Sequence, residues 1–570
     1  MKRFADEIRA AIAAATGIDA SEVRLEKPRD IAMGDFAFPC FALAKTLRQA
    51  PPAIAADLAG KLNGSFSKIE AVATGPYLNF KVEVAALSQA IIESAIEGGL
   101  SYGKSDEGGG RKVVIDFSSP NIAKPMHVGH LRSTILGAAL HRMHALLGYE
   151  PVGINHIGDW GSQFGKLVAA IARWGDTVDI DADPIPALLA LYVRFHDEAE
   201  GDPTLEEEAR AAFRELESGV DGEVRSTWRK ITELSLAEFN KTYERLGVEF
   251  DLVRGEAWYE DKLEATLERI QASGITEESD GATIVDLSSI RKKMAPCLLK
   301  KTDGTTLYAT RDMAALFSRQ AEFDFHRLLW VVGSDQKLHF EQLKGVLKRM
   351  ELPWEPACEH VAFGMMRLPE GKLSTRAGKV VFLGDVLDRA VEEARKTIAE
   401  KNPNLPNAGA VAEQVGVGAI VFNDLKRERI KDVLFQWEEV LSFEGETGPY
   451  VQYTFARTRS ILRKAKAAGE DTATTKVAPD WAALEDARGV LLAMGRYPEA
   501  IRTAAADAEP SHLTQFLLGL SRETNSWYAN HRVLGEAPNI TAARLALVEA
   551  AGSVIEAGLT MLGVASPSEM

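Results

Sequence analysis

Apolar residues follow two rhythms between Lys112 and about residue 390. Short apolar runs at KVVIDF, PVGINHI, TIVDL, RLLWVVG and HVAFGMM read as strands. Between them apolar positions recur at helical spacing. Helices are predicted from about Gly129 to Leu147, from about Ser162, and from near Arg311 and Gln336. Strand, loop and helix repeated in this way predict an α/β fold with a doubly wound, parallel, Rossmann-like sheet over about 106–390.

The flanks follow other patterns. Residues 1–105 predict a separate N-terminal α/β domain, with helical periodicity near 3–15 and 53–62 around extended pieces such as AVATGPYLNFKV. GKSDEGGGRK, rich in glycine and charge, reads as a linker. About 176–282 the strand pattern is interrupted by acidic, mostly helical sequence centred on EGDPTLEEEARAAFRELESG. That stretch predicts an insertion between the two halves of the sheet domain. From 391 to 570 strand patterns are scarce, and Ala, Leu and Arg at helical spacing predict a C-terminal all-helical bundle.

Composition sets limits. A chain of 570 residues that is 46% hydrophobic has material for three or four domains. No segment reads as long and apolar enough to span a bilayer, and MKRFADEIRAAIAAATG reads as an amphipathic helix. A cytoplasmic protein with no membrane partner is expected. Cys40, Cys297 and Cys358 lie far apart with no CxxC pair, which argues against a disulfide framework or a structural zinc site. No metal-ligating residues are assigned. The net charge of −16 argues against a general nucleic-acid coat protein. Two basic clusters nevertheless stand out: Arg457, Arg459, Arg463, Lys464 and Lys466, and Lys426, Arg427, Arg429 and Lys431. Each reads either as a solvated helix face or as a local nucleic-acid footprint.

The candidate chemistry concentrates where the first predicted strand meets the first predicted helix. SSPNIAKPMHVGHLRS, Ser118 to Ser133, places two of the chain's 11 histidines around Gly129. In such sheets ligands bind at the carboxyl ends of strands, and a helix N-terminus attracts phosphate. Gly129 lets a nucleotide approach the backbone. His127 and His130 can donate N–H to phosphate oxygens as charge builds on a pentavalent phosphorus. Positioning and charge stabilisation suffice for that chemistry, without a nucleophilic side chain. A second phosphate-facing element is GKLSTRAGK, Gly371 to Lys379, which follows HVAFGMM and offers Lys372, Ser374, Arg376 and Lys379.

Together HVGH and KLSTR resemble the two signatures of class I aminoacyl-tRNA synthetases, which that family writes HIGH and KMSKS. FSSPNIAKPMHVGHLRST, HIGDWGSQFGK, LYATRDMAAL, VGSDQKLHFEQL, GPYVQYTFARTRSIL and NSWYANHRVL are similar, in the same order, to blocks of the arginyl-tRNA synthetases. The resemblance covers nearly the whole chain, including GDFAFPCFALAK and the C-terminal LTMLGVASPSEM. It implies ATP-dependent attachment of L-arginine to tRNA(Arg) through an arginyl-adenylate, by a monomer using ATP and Mg²⁺. ATP binding then falls to His127, Gly129, His130, His339 and Lys372. Lys124, Lys372 and Ser374 hold the leaving pyrophosphate, with Mg²⁺ bridging phosphate oxygens rather than filling a protein cage. One departure matters. The fourth position of the loop signature is Thr375, where the family has lysine. Arginyl enzymes resembling this chain often carry a lysine just before HIGH, and Lys124 stands there, a cation able to supply the missing charge.

A guanidinium calls for a planar, bidentate anionic partner. By resemblance Asp116 and Asp312 hold it, although the family often carries Glu in place of Asp116. Tyr308 packs against the substrate or hydrogen-bonds it, Asn121 binds its amino-acid end, and Gln336 adds a polar contact. Tyr308 and Asp312 are four apart and share one side of a helix start. Taken without the flanking motifs, Asp312 reads as an acidic first-turn residue facing the helix dipole, and with them the guanidinium reading is favoured. HLRST and QKLHFEQL are expected on the adenosine side, where His339 is a ribose or adenine contact or else a satisfied core histidine.

In the helical tail, Tyr450, Gln452, Tyr453 and Phe455 interleave with Arg457 and Arg459, and Trp527, Tyr528, Asn530, His531 and Arg532 form a second aromatic and basic group. Single-stranded RNA loops are read by aromatic and arginine stacking. By resemblance the bundle binds the tRNA anticodon through Tyr450, Gln452, Arg457, Arg459 and Trp527, and the N-terminal domain meets the tRNA elbow. Ordinary helix packing is the competing reading for each aromatic. A small-molecule nucleotidyltransferase needs neither outer domain, and a tRNA-binding paralogue without catalysis does not need His127, His130, Lys372 and Asp312 together. If Lys124 replaces the loop lysine, Lys124→Ala lowers arginine-dependent ATP–pyrophosphate exchange by about 100-fold or more while tRNA affinity barely moves. An unchanged exchange rate contradicts the compensation.

Overall fold

The computed structural model describes residues 1–570 apart from 303, 305, 368–380, 435, 441, 443–444 and 471–476. In the N-terminal unit, helices Lys2–Thr16, Pro51–Leu62 and Val84–Gly98 accompany β1 (Phe36–Pro39), β2 (Ile69–Thr74) and β3 (Tyr77–Val82). The strands form an antiparallel sheet in the order β1–β3–β2. The first helix buries Phe4, Ile8 and Ile12, one residue per turn on a single face.

The central domain holds β4 (Lys112–Asp116), β5 (Glu150–Asn155), β6 (Leu252–Val253), β7 (Thr276–Ser279), β8 (Ala282–Val285), β9 (Cys297–Lys300), β10 (Arg327–Trp330) and β11 (Cys358–His360). Five of these make one parallel sheet, in the order β11–β10–β4–β5–β6. Strand β4 is central. Val113 and Ile115 point into one hydrophobic cluster and Val114 into another, because successive side chains of a strand face opposite sides. The chain runs outward from β4 through β5 on one side and returns through β10 on the other. The crevice at the C-terminal ends of β4 and β10 is therefore the point where strand order reverses.

Several expectations need correction. TIVDL forms β8, but in a separate antiparallel sheet, β7–β8–β9, outside the parallel one. HVAFGMM is not one strand. His360 closes β11, and Met366–Arg367 form β12, which pairs in parallel with β13 (Val433–Leu434). The break follows from Gly364, whose N–H donates to Arg429 O at 2.8 Å and turns the chain towards the C-terminal half. The insertion is mostly helical, with helices Pro184–Ala199, Thr204–Glu217, Glu223–Leu246 and Leu263–Ala272, yet β6 inside it is the edge strand of the central sheet. Finally, helix Pro538–Leu562 is long and apolar enough to cross a membrane, against the reading that no segment is. Its most apolar window is 72% buried, so its apolar length fills the core of the C-terminal bundle.

That bundle is built from helices Gly448–Ala468, Arg488–Gly495, Tyr497–Ala506, Ser511–Asn530 and Pro538–Leu562. Helices Leu383–Lys401 and Ala408–Leu425 join it to the sheet domain. The N-terminal unit docks directly on the bundle. Buried Arg488 donates to both carboxylate oxygens of buried Asp35, at 2.8 and 2.9 Å, and to Val82 O at 3.0 Å. Tyr102 stacks on Tyr497 with ring centroids 5.6 Å apart. Removing one partner of a buried ion pair costs about 3–5 kcal/mol, because the other charge is left unpaired. Asp35→Ala should therefore strip hydrogen-exchange protection from residues 1–82 before the central sheet loosens, and unchanged protection there contradicts this role.

Candidate active site

Strand β4 delivers the chain into a loop that no relaxed backbone would choose. Ser118, Ser119 and Ala123 sit at φ of 75°, 50° and 61°, left-handed values that cost non-glycine residues about 1 kcal/mol or more each. Hydrogen bonds hold them there. Ser118 N–H donates to Ser133 Oγ at 2.8 Å, and the Ser118 hydroxyl lies 2.8 Å from Tyr243 Oη and accepts from Thr134 at 2.8 Å. Ala123 N–H donates to Ser235 Oγ at 3.0 Å. Tyr243 and Ser235 belong to the insertion helix Glu223–Leu246, so the insertion braces this loop. Asn121 lies over Gly158 of the GDWG block, where a Cβ would stand 2.0 Å from Asn121 Oδ1. The glycine makes room for that amide.

The loop ends in helix Val128–Leu146, capped by its own histidines. His127 Nδ1 accepts Gly129 N–H at 3.1 Å, and His130 Nδ1 accepts the backbone N–H of His127 at 3.1 Å. A backbone N–H can only donate, so both Nδ1 atoms are unprotonated and each neutral ring carries its proton on Nε2. The rings lie 4.0 Å apart. Burial lowers the pKa of His127, and burial together with the neighbouring His127 lowers that of His130 to about 3. Both imidazoles are thus neutral N–H donors at physiological pH. The room above Gly129 is taken by the His127 ring, since a Cβ there would meet Cε1 at 2.7 Å. Glycine at this position serves the cap itself, where the sequence had suggested only a nucleotide's approach.

Within HLRST, expected on the adenosine side, Arg132 and Ser133 are committed to partners inside the chain. Ser133 Oγ donates to Val331 O at 2.6 Å, tying the helix to the end of β10. Arg132 is buried, with Nε 2.9 Å from Asp424 Oδ1 and Nη1 donating to Gly364 O at 2.7 Å and Lys431 O at 2.9 Å.

On the other side of the crevice, Asp312 projects from helix Tyr308–Phe323 between residues that follow β5 and β10. Its Oδ2 is 2.5 Å from His339 Nε2, and its Oδ1 is 4.0 Å from His156 Nε2. His156 Nδ1–H donates to Arg254 O at 3.0 Å, which fixes that ring. His339, expected at ribose or adenine or else as a satisfied core histidine, meets the Asp312 carboxylate. Tyr308 is 66% exposed at the start of the same helix, and Gln336 is exposed in the turn after β10. Asp116 is also corrected. It is buried and accepts from Arg319 Nη1 at 2.8 Å, so the chain's own guanidinium occupies the carboxylate expected to hold the substrate's. Sequence reasoning missed Arg319, His156, Glu256 and the Arg311–Glu260 pair at 2.6 Å. His156 stood within a quoted block, whereas Glu256 gave no spacing signal. Burial raises Glu256 to about 7, with Arg311 opposing and Asp312 reinforcing the shift, and its Oε2 has no hydrogen-bond partner.

Lys372, Ser374, Thr375, Arg376 and Lys379 lie outside the described residues. The segment that follows them is anchored at the cap. Val128 N–H donates to Val381 O at 3.3 Å, and Leu383 N–H to Met126 O at 2.9 Å. Lys124 Nζ is 3.5 Å from Gln163 Oε1. Among the described residues no group of three or more His, Cys, Asp or Glu is placed to hold a metal ion.

In the bundle two RNA-facing expectations are corrected. Gln452 is fully buried and donates to Gln414 O and Ala565 O, at 3.0 and 2.8 Å, in space left by Gly418. Trp527 is buried, its Nε1–H donating to Asp486 at 3.2 Å. Arg459 pairs with Glu556 at 2.8 Å. What faces outward is Arg457, stacked on exposed Tyr453 and near Tyr528, with Asn525 joining it to Tyr450. Beside them lies a cavity of 580 Å³ lined by Lys464, Tyr528, Asn530, His531 and Arg532.

Comparison with known proteins agrees along the whole chain. The family described as tRNA synthetases class I (R), catalytic domain, matches residues 92–437. The DALR anticodon binding domain matches 451–570, and the arginyl tRNA synthetase N terminal domain matches 2–82. An arginine–tRNA ligase of Clostridium botulinum is 46% identical over 557 residues, 97% of each chain. One from Halothermothrix orenii is 42% identical over 555 residues, 97% of this chain and 96% of that one. The structure of Thermus thermophilus arginyl-tRNA synthetase superposes with a TM-score of 0.83 at 28% identity, covering all of both chains.

Glu256 generates a pH prediction. Its pKa near 7 means that it gains negative charge beside Asp312 between pH 6 and 8. The KM for free arginine should fall across that interval, and Glu256→Gln should flatten the dependence. A KM that is flat in the unaltered protein contradicts it.

Proposed function

The chain belongs to the arginyl-tRNA synthetases of class I and joins arginine to tRNA for protein synthesis with consumption of ATP, and we propose the following division of labour among its residues. ATP lies in the crevice beyond β4 and β10, with its phosphates against His127 and His130. The arginine carboxylate attacks the α-phosphorus in line. As the α-phosphorus–oxygen bridge breaks, arginyl-adenylate forms and pyrophosphate leaves. The two Nε2–H groups donate to phosphate oxygens as charge accumulates, and because both rings are neutral they need give up no proton. Lys124, Lys372 and Ser374 hold the pyrophosphate. Mg²⁺ would be held by the triphosphate rather than in a protein cage, and there it would supply charge neutralisation at the phosphate oxygens. The terminal ribose hydroxyl of tRNA then attacks the adenylate carbonyl, forming the ester and releasing AMP.

The observation that carries the arginine assignment is the Asp312 carboxylate, which meets His339 and stands 4.0 Å from His156 at the edge that bears the histidine cap. A guanidinium offers paired planar donors to such a carboxylate, and lysine's ammonium does not reproduce that fork. Tyr308 and Gln336 wall the pocket, and Asn121 takes the amino-acid end. Asp116 serves indirectly by holding Arg319. The anticodon is read by Tyr453, Arg457 and Tyr528 rather than by buried Gln452 and Trp527. The enzyme works as a single chain in the cytoplasm.

Pyrophosphate exchange against a panel of amino acids tests the reading, with arginine expected to support it and equal exchange with lysine contradicting it. Asp312→Ala should raise the KM for arginine about 10- to 100-fold, the worth of hydrogen bonds between charged groups. An ordinary KM removes Asp312 from the pocket.

A further inference from the structure

The basic run Lys426 to Lys431 is the one conspicuous sequence cluster that the reaction leaves unused. It lies where helix Ala408–Leu425 ends and before β13. Arg429 is only partly exposed, and its hydrogen bonds go inward. Its Nη1 donates to Ala362 O at 2.7 Å, and its carbonyl accepts Gly364 N–H at 2.8 Å. In the other direction its Nε donates to Ala508 O at 3.1 Å, and its backbone N–H lies 3.1 and 3.2 Å from the two carboxylate oxygens of Glu509. Asp432 continues the joint. Its Oδ1 accepts Met365 N–H at 2.8 Å and its Oδ2 accepts from Arg367 at 2.6 Å, which fixes the register of β12 on β13. A Cβ on Gly364 would stand 2.5 Å from the backbone of Lys431, so the approach is as close as two backbones allow.

Residues 362–367 run from the central sheet to the point where GKLSTRAGK follows. Ala508 and Glu509 belong to the bundle matched as the anticodon-binding domain. One arginine side chain therefore spans the two. Resting on the functional reading above, we propose that Arg429, supported by Asp432, is a positioning residue for adenylate formation: it fastens the strand leading to the phosphate-side loop onto the RNA-binding bundle, so that the bundle's placement sets the ATP site. The cluster is a splice and not an RNA footprint.

The test is arginine-dependent pyrophosphate exchange by the full chain, varying ATP and tRNA, with rates divided by active sites from an adenylate burst. Arg429→Ala should lower kcat at saturating substrates about tenfold while tRNA affinity stays within about twofold. Arg429→Lys keeps the charge but loses the fork that reaches both Ala362 and Ala508, and should restore little. Asp432→Ala, at an exposed position where folding is not at risk, should lower kcat in the same sense. Weakened tRNA binding with kcat unchanged at saturating tRNA would make the cluster a footprint and overturn the inference alone. Unchanged kcat in all three variants would also overturn it. Absence of arginine-dependent exchange in the unaltered protein would overturn the functional reading with it.

Discussion

Two imidazoles cap one helix by hydrogen-bonding to each other's neighbourhood, and this exchange governs what the site can do. His127 takes Gly129 N–H and His130 takes His127 N–H, so both Nδ1 atoms are committed before any ligand arrives. Only Nε2–H remains to face the crevice. Protonating either ring would require surrendering a cap bond, which is why burial and the fold agree on neutral donors. In the proposed reaction a pair of neutral donors would stabilise the transient charge on phosphorus without binding phosphate so tightly in the ground state that the gain is lost.

The cap is only as well placed as the loop before it. That loop spends three residues in left-handed conformations, and the hydroxyls of Ser133, Thr134, Ser235 and Tyr243 hold it in place. Two of these come from the insertion, which gives the acidic interruption of the sheet a structural duty. Arg132 extends the same logic to the far side. Its buried guanidinium gathers Asp424, Gly364 and Lys431 onto the capped helix, and losing either partner of that buried pair would leave the other charge uncompensated.

Much of this was legible in the sequence where local chemistry and spacing coincide. The strand–loop–helix around HVGH, the parallel sheet and the helical tail all follow from periodicity, and the order of the motif blocks carried the family. What stayed hidden depends on residues distant in the chain. Nothing near Asp116 announces that Arg319 will satisfy it. Gln452 and Trp527 carry the chemistry of RNA readers, but the helical period turns them into the bundle, where buried polar atoms must be paired. TIVDL has the composition of a parallel strand and lies in a small antiparallel sheet, because an isolated apolar run does not specify its partner. Glu256 is chemically unusual first through its burial and then through neighbouring carboxylates, of which Asp312 and Asp159 are distant in sequence and Glu260 is near.

The most direct test of the central claim is the tautomeric state of the two capping histidines, read by long-range ¹H–¹⁵N NMR on protein labelled in histidine, with His127→Gln and His130→Gln for assignment. The account predicts neutral rings protonated on Nε2 for both residues at pH 7, with His130 still neutral at pH 5. A proton on Nδ1 of either ring, or an imidazolium at pH 7, would contradict it.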